Sequence, residues 1–290
     1  MTQTGFSERT SGRITQNVVF MLIWAAALLA LVILILIVGV LLVRGLPSVT
    51  LEFLTGVPED LGRSGGILPT IIGTVVLGAV SLLIATPIGV GTALYLTEYT
   101  TESGLTKIIR FGADSLAGVP SIVFGLFGFI FFVTVLHMGW SILAGGLTLA
   151  LMMLPTIIRT TEEAVLTVPQ AYRDIGYSLG ATRWEMVTTT VLPSALPGIL
   201  TGVILSFGRA VSETAAVIFT AGTALNLPDS IFSPVRTMAV HFYILAVEGI
   251  SLEKAYATGA VLIITVLLIN LTANAIITRV VAGRTRGAKH

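Results

Sequence analysis

Two charged residues stand in an otherwise apolar stretch in the C-terminal third of the chain. Arg209 and Glu213 are four positions apart, a spacing that puts both on one face of an α-helix, together with Ser206 and Thr220. A charged side chain inside a membrane costs roughly 2.5 to 3.5 kcal/mol on insertion scales, so we expect this face to point into a bundle or a water-filled path. A guanidinium offers five donors in a planar fork that suits an oxyanion. The pattern therefore predicts an anion contact at Arg209, although an ion pair that only joins helices would have the same spacing.

The composition of the 290-residue chain is that of a membrane protein. Hydrophobic residues make up 54% and charged residues 11%, and the mean hydropathy is +0.97, well above the range of a water-soluble domain. A net charge of +1 gives no reason to expect nucleic acid as a partner. There is no Cys, and the three His form no metal-spaced or Ser-His-Asp cluster. We therefore predict a protein that is not an enzyme, without catalytic residues, cofactor or metal.

The apolar runs are long enough for six membrane helices, since a span needs about 20 mostly apolar residues. The runs are Val18 to Val43, Pro69 to Leu96, Val119 to Leu136, Ser141 to Ile158, Ala195 to Ala221 and Ala255 to Val280. Arg209 and Glu213 fall in the fifth. The sequence thus predicts an all-α polytopic membrane helix bundle.

The distribution of Lys and Arg predicts the orientation of the bundle. With the N-terminus in the cytoplasm, eleven of these residues lie in cytoplasmic segments and four in outer loops, as the positive-inside rule requires. Both termini are then cytoplasmic. We predict a cytoplasmic tail at 1–17, a first span with its outer loop at 18–64, a membrane core at 65–280 and a second tail at 281–290.

The connection between the fourth and fifth spans carries local signals for two short helices. Pro169 can begin a helix, Ala171, Ile175 and Leu179 recur at helical spacing, and Gly180 suits the left-handed residue that ends it. The second helix is predicted by the next residues: Thr182 and Glu185 have capping-box spacing, and Pro193 should bend the chain before span five. Such a rigid helical pair can dock into a groove of a partner, or it can lie on the lipid headgroups.

This connection, residues 160–193, resembles the coupling loop of ABC importer permeases. The residues in register with the family's invariant positions are Gly180, Leu192 and Pro193, whereas Asp174 stands in place of Glu, Ile175 and Gly176 in place of two Ala, and Thr190 in place of Ile. The resemblance implies contact with an ATPase through a set of residues in this loop. They are Tyr172, Arg173, Asp174, Gly180, Ala181, Thr182, Arg183, Trp184, Glu185, Leu192 and Pro193.

Flanking segments between about residues 65 and 220 are similar to phosphate-specific importer permeases of the PstA type. They are Gly65 to Thr74, Leu116 to Gly128, Leu154 to Ala164 and Leu196 to Gly202. The family's Gly-Glu-Thr-Ala-Pro reads Ser212-Glu213-Thr214-Ala215-Ala216 here. The resemblance implies a fold of the type I ABC importer permease and a place in the inner membrane of a prokaryote.

The resemblance also implies partners, namely a homologous permease subunit of PstC type, a PstB-type ATPase dimer and a PstS-type binding protein that delivers inorganic phosphate from outside. The chain has no phosphate-binding loop of its own for ATP. Arg209 is then the expected phosphate contact, and we hypothesise that phosphate competes with Glu213 for its guanidinium. Two alternatives remain open: a permease for sulfate, molybdate or tungstate, and an ATP-independent anion channel or carrier.

Overall fold

The first membrane helix is long and makes few contacts with the rest of the chain. The computed structural model describes the backbone of residues 5–287 and the side chains of 16–275 and 277–279. Helix α1 (Gly5–Gly45) contains the first predicted span and packs along the last helix. The apolar part of α1 is not buried within this chain. The outermost residues of both predicted tails, 1–4 and 288–290, lie outside the described residues.

The outer loop after α1 contains the described part's only β-structure. A 3₁₀ turn (Leu46–Ser48) leads to α2 (Leu51–Thr55), which is capped by the hydroxyl of Thr50. Strands β1 (Pro58–Glu59) and β2 (Ser64–Gly65) then form an antiparallel hairpin with Pro58 opposite Gly65. The loop therefore has a defined structure of its own.

The centre of the bundle is built from three helices, α3 (Leu68–Leu94), α6 (Ile142–Leu166) and α9 (Leu192–Val211). A π-helical turn, Tyr95–Tyr99, continues α3. Helix α6 is the most enclosed of the three, with 67% of its most apolar window buried against 33% for the other two. Its approach to α9 depends on Gly202, because a Cβ there would overlap the hydroxyl of Thr160. Small residues give such close contacts between membrane helices.

The third predicted span is shorter than expected and sharply bent at its start. Instead of one helix over 119–136, the chain forms α4 (Gly104–Ala117), then α5 (Ser121–Gly128) with a π-helical extension to Val135, and the two parts meet at 106°. The bend falls at Val119 and Pro120, since the residue before a proline is disfavoured in helical geometry. Five helices are long and apolar enough to cross a membrane, and six if this bent pair counts as one.

The fifth predicted span is also interrupted, and the remaining chain folds back before the last helix. Three elements precede and complete it: α7 (Gln170–Ser178), α8 (Arg183–Met186) and α10 (Ala215–Thr220). A loop then leads to α11 (Met238–Val247) and α12 (Leu252–Gly287). The guanidinium of Arg236 fastens this loop, with Nε donating to the Thr223 carbonyl at 2.9 Å and Nη1 lying 3.4 Å from Nδ1 of His241.

Candidate substrate path and coupling segment

The first helix of the segment between α6 and α9 has the predicted boundaries. Helix α7 begins after Pro169 and ends at Ser178. Gly180 has a positive φ of 82°, the left-handed conformation that glycine adopts most easily. The amide of Ala181 closes the turn by donating to the Gly176 carbonyl at 3.1 Å. The local sequence signals for this helix and its end are thus confirmed.

The second helix begins as predicted but continues into the membrane without a break. The Thr182 hydroxyl accepts from the Glu185 amide, and the Glu185 carboxylate accepts from the Thr182 amide, so the capping box is complete. Helix α8 then passes through a π-helical turn, Val187–Val191, into α9. The predicted bend at Pro193 is wrong as a boundary, because Pro193 lies in the first turn of α9, where a missing amide hydrogen costs little.

The outer face of this segment is apolar and exposed. Tyr172, Ile175 and Leu179 on α7 are exposed by 50%, 58% and 84%, and Trp184 on α8 by 68%. Single exposed apolar residues are common, but a cluster of large ones at one end of a molecule indicates a surface that another molecule covers. Gly176 lies on the opposite face, where a Cβ would overlap the terminal methyl of Met186. That contact accounts for glycine where the coupling-loop pattern has Ala.

Arg173 does not belong to the exposed face but turns toward the membrane helices. Its Nη2 lies 2.6 Å from Oε1 of Glu98, and the two side chains are exposed by only 11% and 8%. Glu98 is a site residue that the sequence analysis did not identify. It ends an apolar run, which is a weak signal, and its partner is 75 positions away, so no local pattern could pair them.

The helix that carries Arg209 ends before Glu213. Helix α9 stops at Val211, and the next helix starts at Ala215. The hydroxyl of Ser212 donates to the carbonyls of Gly208 and Arg209, at 3.2 and 3.0 Å. A side chain that bonds to nearby backbone groups in this way competes with helix continuation. A break therefore occurs although the Gly and Pro of the family pattern are absent.

The four predicted path residues consequently do not share one helical face. Ser206 and Thr220 are buried, and their hydroxyls donate to the carbonyls of Gly202 and Ala216 in their own helices. Arg209 is exposed and Glu213 half-buried. Among the side chains that the structure describes, neither forms an ion pair or a hydrogen bond with any other. The expected Arg209–Glu213 pair is therefore wrong for this structure, and the guanidinium keeps all its donors free.

The largest groove near these residues is not the anion path. It encloses about 790 Å³ between α3 and α9, and its lining includes Pro87, Val90, Leu196 and Val203. The lining has no charged residue, and a phosphate would lose its hydration there without compensation. The anion chemistry of the described residues is concentrated at the break instead.

A bundle with a broken helix that presents a free guanidinium, and an exposed apolar helix pair at one end, is the architecture of a transport subunit that works with a separate motor protein. Residues 85–286 match the family of binding-protein-dependent transport system inner membrane components. The chain belongs to this family.

Curated relatives narrow the comparison. The chain is 35% identical over 249 residues to a probable ABC transporter permease protein, YqgI, of Bacillus subtilis, covering 80% of this chain and 85% of the relative. It is 36% identical over 237 residues to the phosphate transport system permease protein PstA of Pasteurella multocida, covering 80% and 84%. It is 34% identical over 283 residues to PstA 1 of Mycobacterium tuberculosis H37Rv, covering 94% and 90%.

Solved structures agree on the fold. The chain superposes with a TM-score of 0.64 on a subunit of a bacterial ABC transporter that imports the acidic polysaccharide alginate, at 18% identity, covering 92% of this chain and 99% of that one. The TM-score with a chain of the MetNI methionine ABC transporter is also 0.64, at 18% identity, with 74% and 95% covered. The predicted fold of an ABC importer permease is confirmed.

Proposed function

We propose that this chain is the membrane subunit of an ATP-driven importer of inorganic phosphate and forms half of its translocation path. The observation that carries the proposal is the free guanidinium of Arg209 at the break between α9 and α10, combined with about 35% identity to permeases named for phosphate transport. A fixed cation without a protein partner attracts a tetrahedral oxyanion and does not have to be released from a carboxylate first. The chain itself has no ATP site, so the energy comes from another subunit.

The proposed partners follow from the family and from the exposed surfaces. A homologous permease subunit supplies the other half of the path, an ATPase dimer covers the apolar face of α7 and α8, and an extracytoplasmic binding protein delivers phosphate. The family name, which specifies dependence on a binding protein, supports the last of these. The location we propose is the inner membrane of a prokaryote, with α7 on the cytoplasmic side.

Transport by the purified assembly tests the proposal directly. The complete complex in proteoliposomes, with the binding protein on the outer side, is expected to accumulate labelled phosphate only with ATP at the α7 side, and the complex without this chain should not. A non-hydrolysable ATP analogue is the matched control. Accumulation that needs no hydrolysis would contradict the proposal and favour an ATP-independent anion channel or carrier.

The anion itself is tested by competition in the same assay. A guanidinium alone does not distinguish tetrahedral oxyanions, so we expect unlabelled phosphate to suppress uptake and equal concentrations of sulfate or molybdate to leave it nearly unchanged. Stronger suppression by sulfate, molybdate or tungstate would assign this chain to an importer of that anion.

A further inference from the structure

Arg173 joins three separate elements of the bundle. Its Nε lies 3.2 and 3.3 Å from the two carboxylate oxygens of Glu98, and its Nη2 lies 2.6 Å from one of them. The guanidinium also donates to the backbone carbonyls of Val165 and Val168, at 3.1 and 2.7 Å. Glu98 is in the π-helical turn that continues α3, and Val165 is in the last turn of α6. One side chain thus connects α7 to the ends of both central helices.

This pair differs from the other ion pairs between side chains that the structure describes. Arg63–Asp60, Arg110–Glu102, Arg110–Glu162 and Arg159–Asp114 each contain at least one side chain exposed by 37% or more. Pairs open to water are screened and hold their geometry weakly. The Glu98–Arg173 pair is enclosed, has fork geometry, and satisfies further donors, which are the conditions for a rigid connection.

The remaining attachment of α7 is slight. No residue of α7 is buried, and only Arg173 and Gly176, three positions apart, are half-buried. Gly176 packs against Met186 at the start of the helical run into α9. A force applied to the exposed face of α7 therefore reaches α3 and α6 mainly through the guanidinium of Arg173.

We infer that Glu98 and Arg173 form the connection that transmits movement of α7 into α3 and α6, and that Glu98 is a positioning residue for transport. The inference rests on the proposed function, because it takes α7 as the surface on which the ATPase acts. Helix α9, which carries Arg209, packs against both α3 and α6. Movement of these two helices thus changes the surroundings of the anion contact without any direct link to it.

The test compares two Glu→Gln variants in the reconstituted complex, with phosphate accumulated and ATP hydrolysed measured on the same vesicles. Glu98→Gln preserves the shape and removes the charge, while Arg173 keeps its carbonyl acceptors. We expect the phosphate transported per ATP to fall at least tenfold, with hydrolysis and bound ATPase within twofold of the wild type. Glu102→Gln, which alters an exposed carboxylate four positions away, is the control and should leave the ratio unchanged.

A second variant keeps the test decisive if Glu98→Gln does not accumulate in the membrane. Arg173→Lys retains the charge but not the fork, and it should lower the same ratio. An unchanged ratio in whichever variant assembles would overturn the inference, as would loss of the ATPase from the purified complex, which would make the pair a docking element. Failure of the wild-type complex to transport phosphate would instead contradict the proposed function.

Discussion

Arg173 and Arg209 occupy opposite environments in the same bundle. Arg173 is nearly enclosed and bonds to one carboxylate and two carbonyls, whereas Arg209 is exposed and makes no side-chain contact of this kind with any described residue. The first guanidinium has no donor to spare for a ligand. The second has all of them, and its position at the end of a broken membrane helix has no evident structural purpose.

The difference separates a charge that holds elements together from a charge that is available to bind. A buried, partnered arginine stabilises the fold, and its loss leaves the partner uncompensated. An exposed, unpartnered arginine contributes little to stability, so its loss affects binding alone. Mutations at the two positions should therefore change different measured quantities.

The largest effect is expected from Arg173→Ala. This change leaves the Glu98 carboxylate buried without its partner, and removing one member of a buried pair costs about 3 to 5 kcal/mol. The measurement is the free energy of unfolding of the purified protein in mixed micelles. Arg209→Ala is the matched control and should stay within about 0.5 kcal/mol of the wild type; equal losses at both positions would remove the distinction.

Arg209→Gln should have the next largest effect, on transport only. Loss of two charge-assisted hydrogen bonds to phosphate, at about 1.5 to 3 kcal/mol each, lowers uptake about 100-fold or more. Initial rates of labelled phosphate uptake measure it, with complex assembly checked by copurification. Arg63→Gln, at an exposed arginine of the outer loop, is expected to transport normally, and normal uptake by Arg209→Gln would end the role of Arg209 as the anion contact.

Arg236 extends the comparison, because it is 92% buried and pairs with no carboxylate among the described residues. Burial, and then the charge of Arg236, lowers the pKa of His241 from 6.5 to about 4. The unfolded chain therefore binds an extra proton between these values, and stability is full above pH 6.5 and declines toward pH 4. Unfolding measured across this range should show the decline in the wild type and in the exposed-residue control His137→Gln, but less of it in His241→Gln.

A smaller effect is expected at Glu213. Since its carboxylate does not bond to Arg209 in this structure, phosphate has no competitor to displace there. We expect Glu213→Gln to change the apparent KM for phosphate by less than about threefold, a difference of under 1 kcal/mol. A tenfold change would restore the competition hypothesis and require the two side chains to meet in another state of the transport cycle.

The smallest effect is expected from Asp114→Asn. Its partner Arg159 lies 3.1 Å away, but the two side chains are exposed by 51% and 61%. Exposed pairs contribute about 0 to 1 kcal/mol, so the unfolding free energy should hardly change. A loss as large as that of Arg173→Ala would mean that burial does not distinguish the ion pairs of this protein.

The sequence predicted the features that depend on neighbouring residues. The start of α7 after Pro169, the left-handed Gly180 and the Thr182–Glu185 capping box each follow from a few positions, and all three are present. The apolar runs likewise predicted where the membrane helices lie, because the bilayer demands their length and composition.

The features that the sequence did not predict depend on tertiary structure or on subtle local competition. The Glu98–Arg173 pair joins residues 75 positions apart. The break before Glu213 contains neither Gly nor Pro, and apolar residues continue on both sides, so periodicity alone indicated one helix. The predicted shared face of Arg209 and Glu213 was wrong for that reason.

The π-helical turn Val187–Val191 has a geometric consequence for the anion site. A single turn of this kind accommodates one additional residue relative to an α-helix, and each residue of an α-helix advances the azimuth by about 100°. The wide turn thus sets the rotational phase of everything that follows it in α9. Removing one residue between positions 187 and 191 would swing the side chain at position 209 by more than a quarter of a revolution, away from its present outlook, while every amino acid of the membrane helix itself stayed the same.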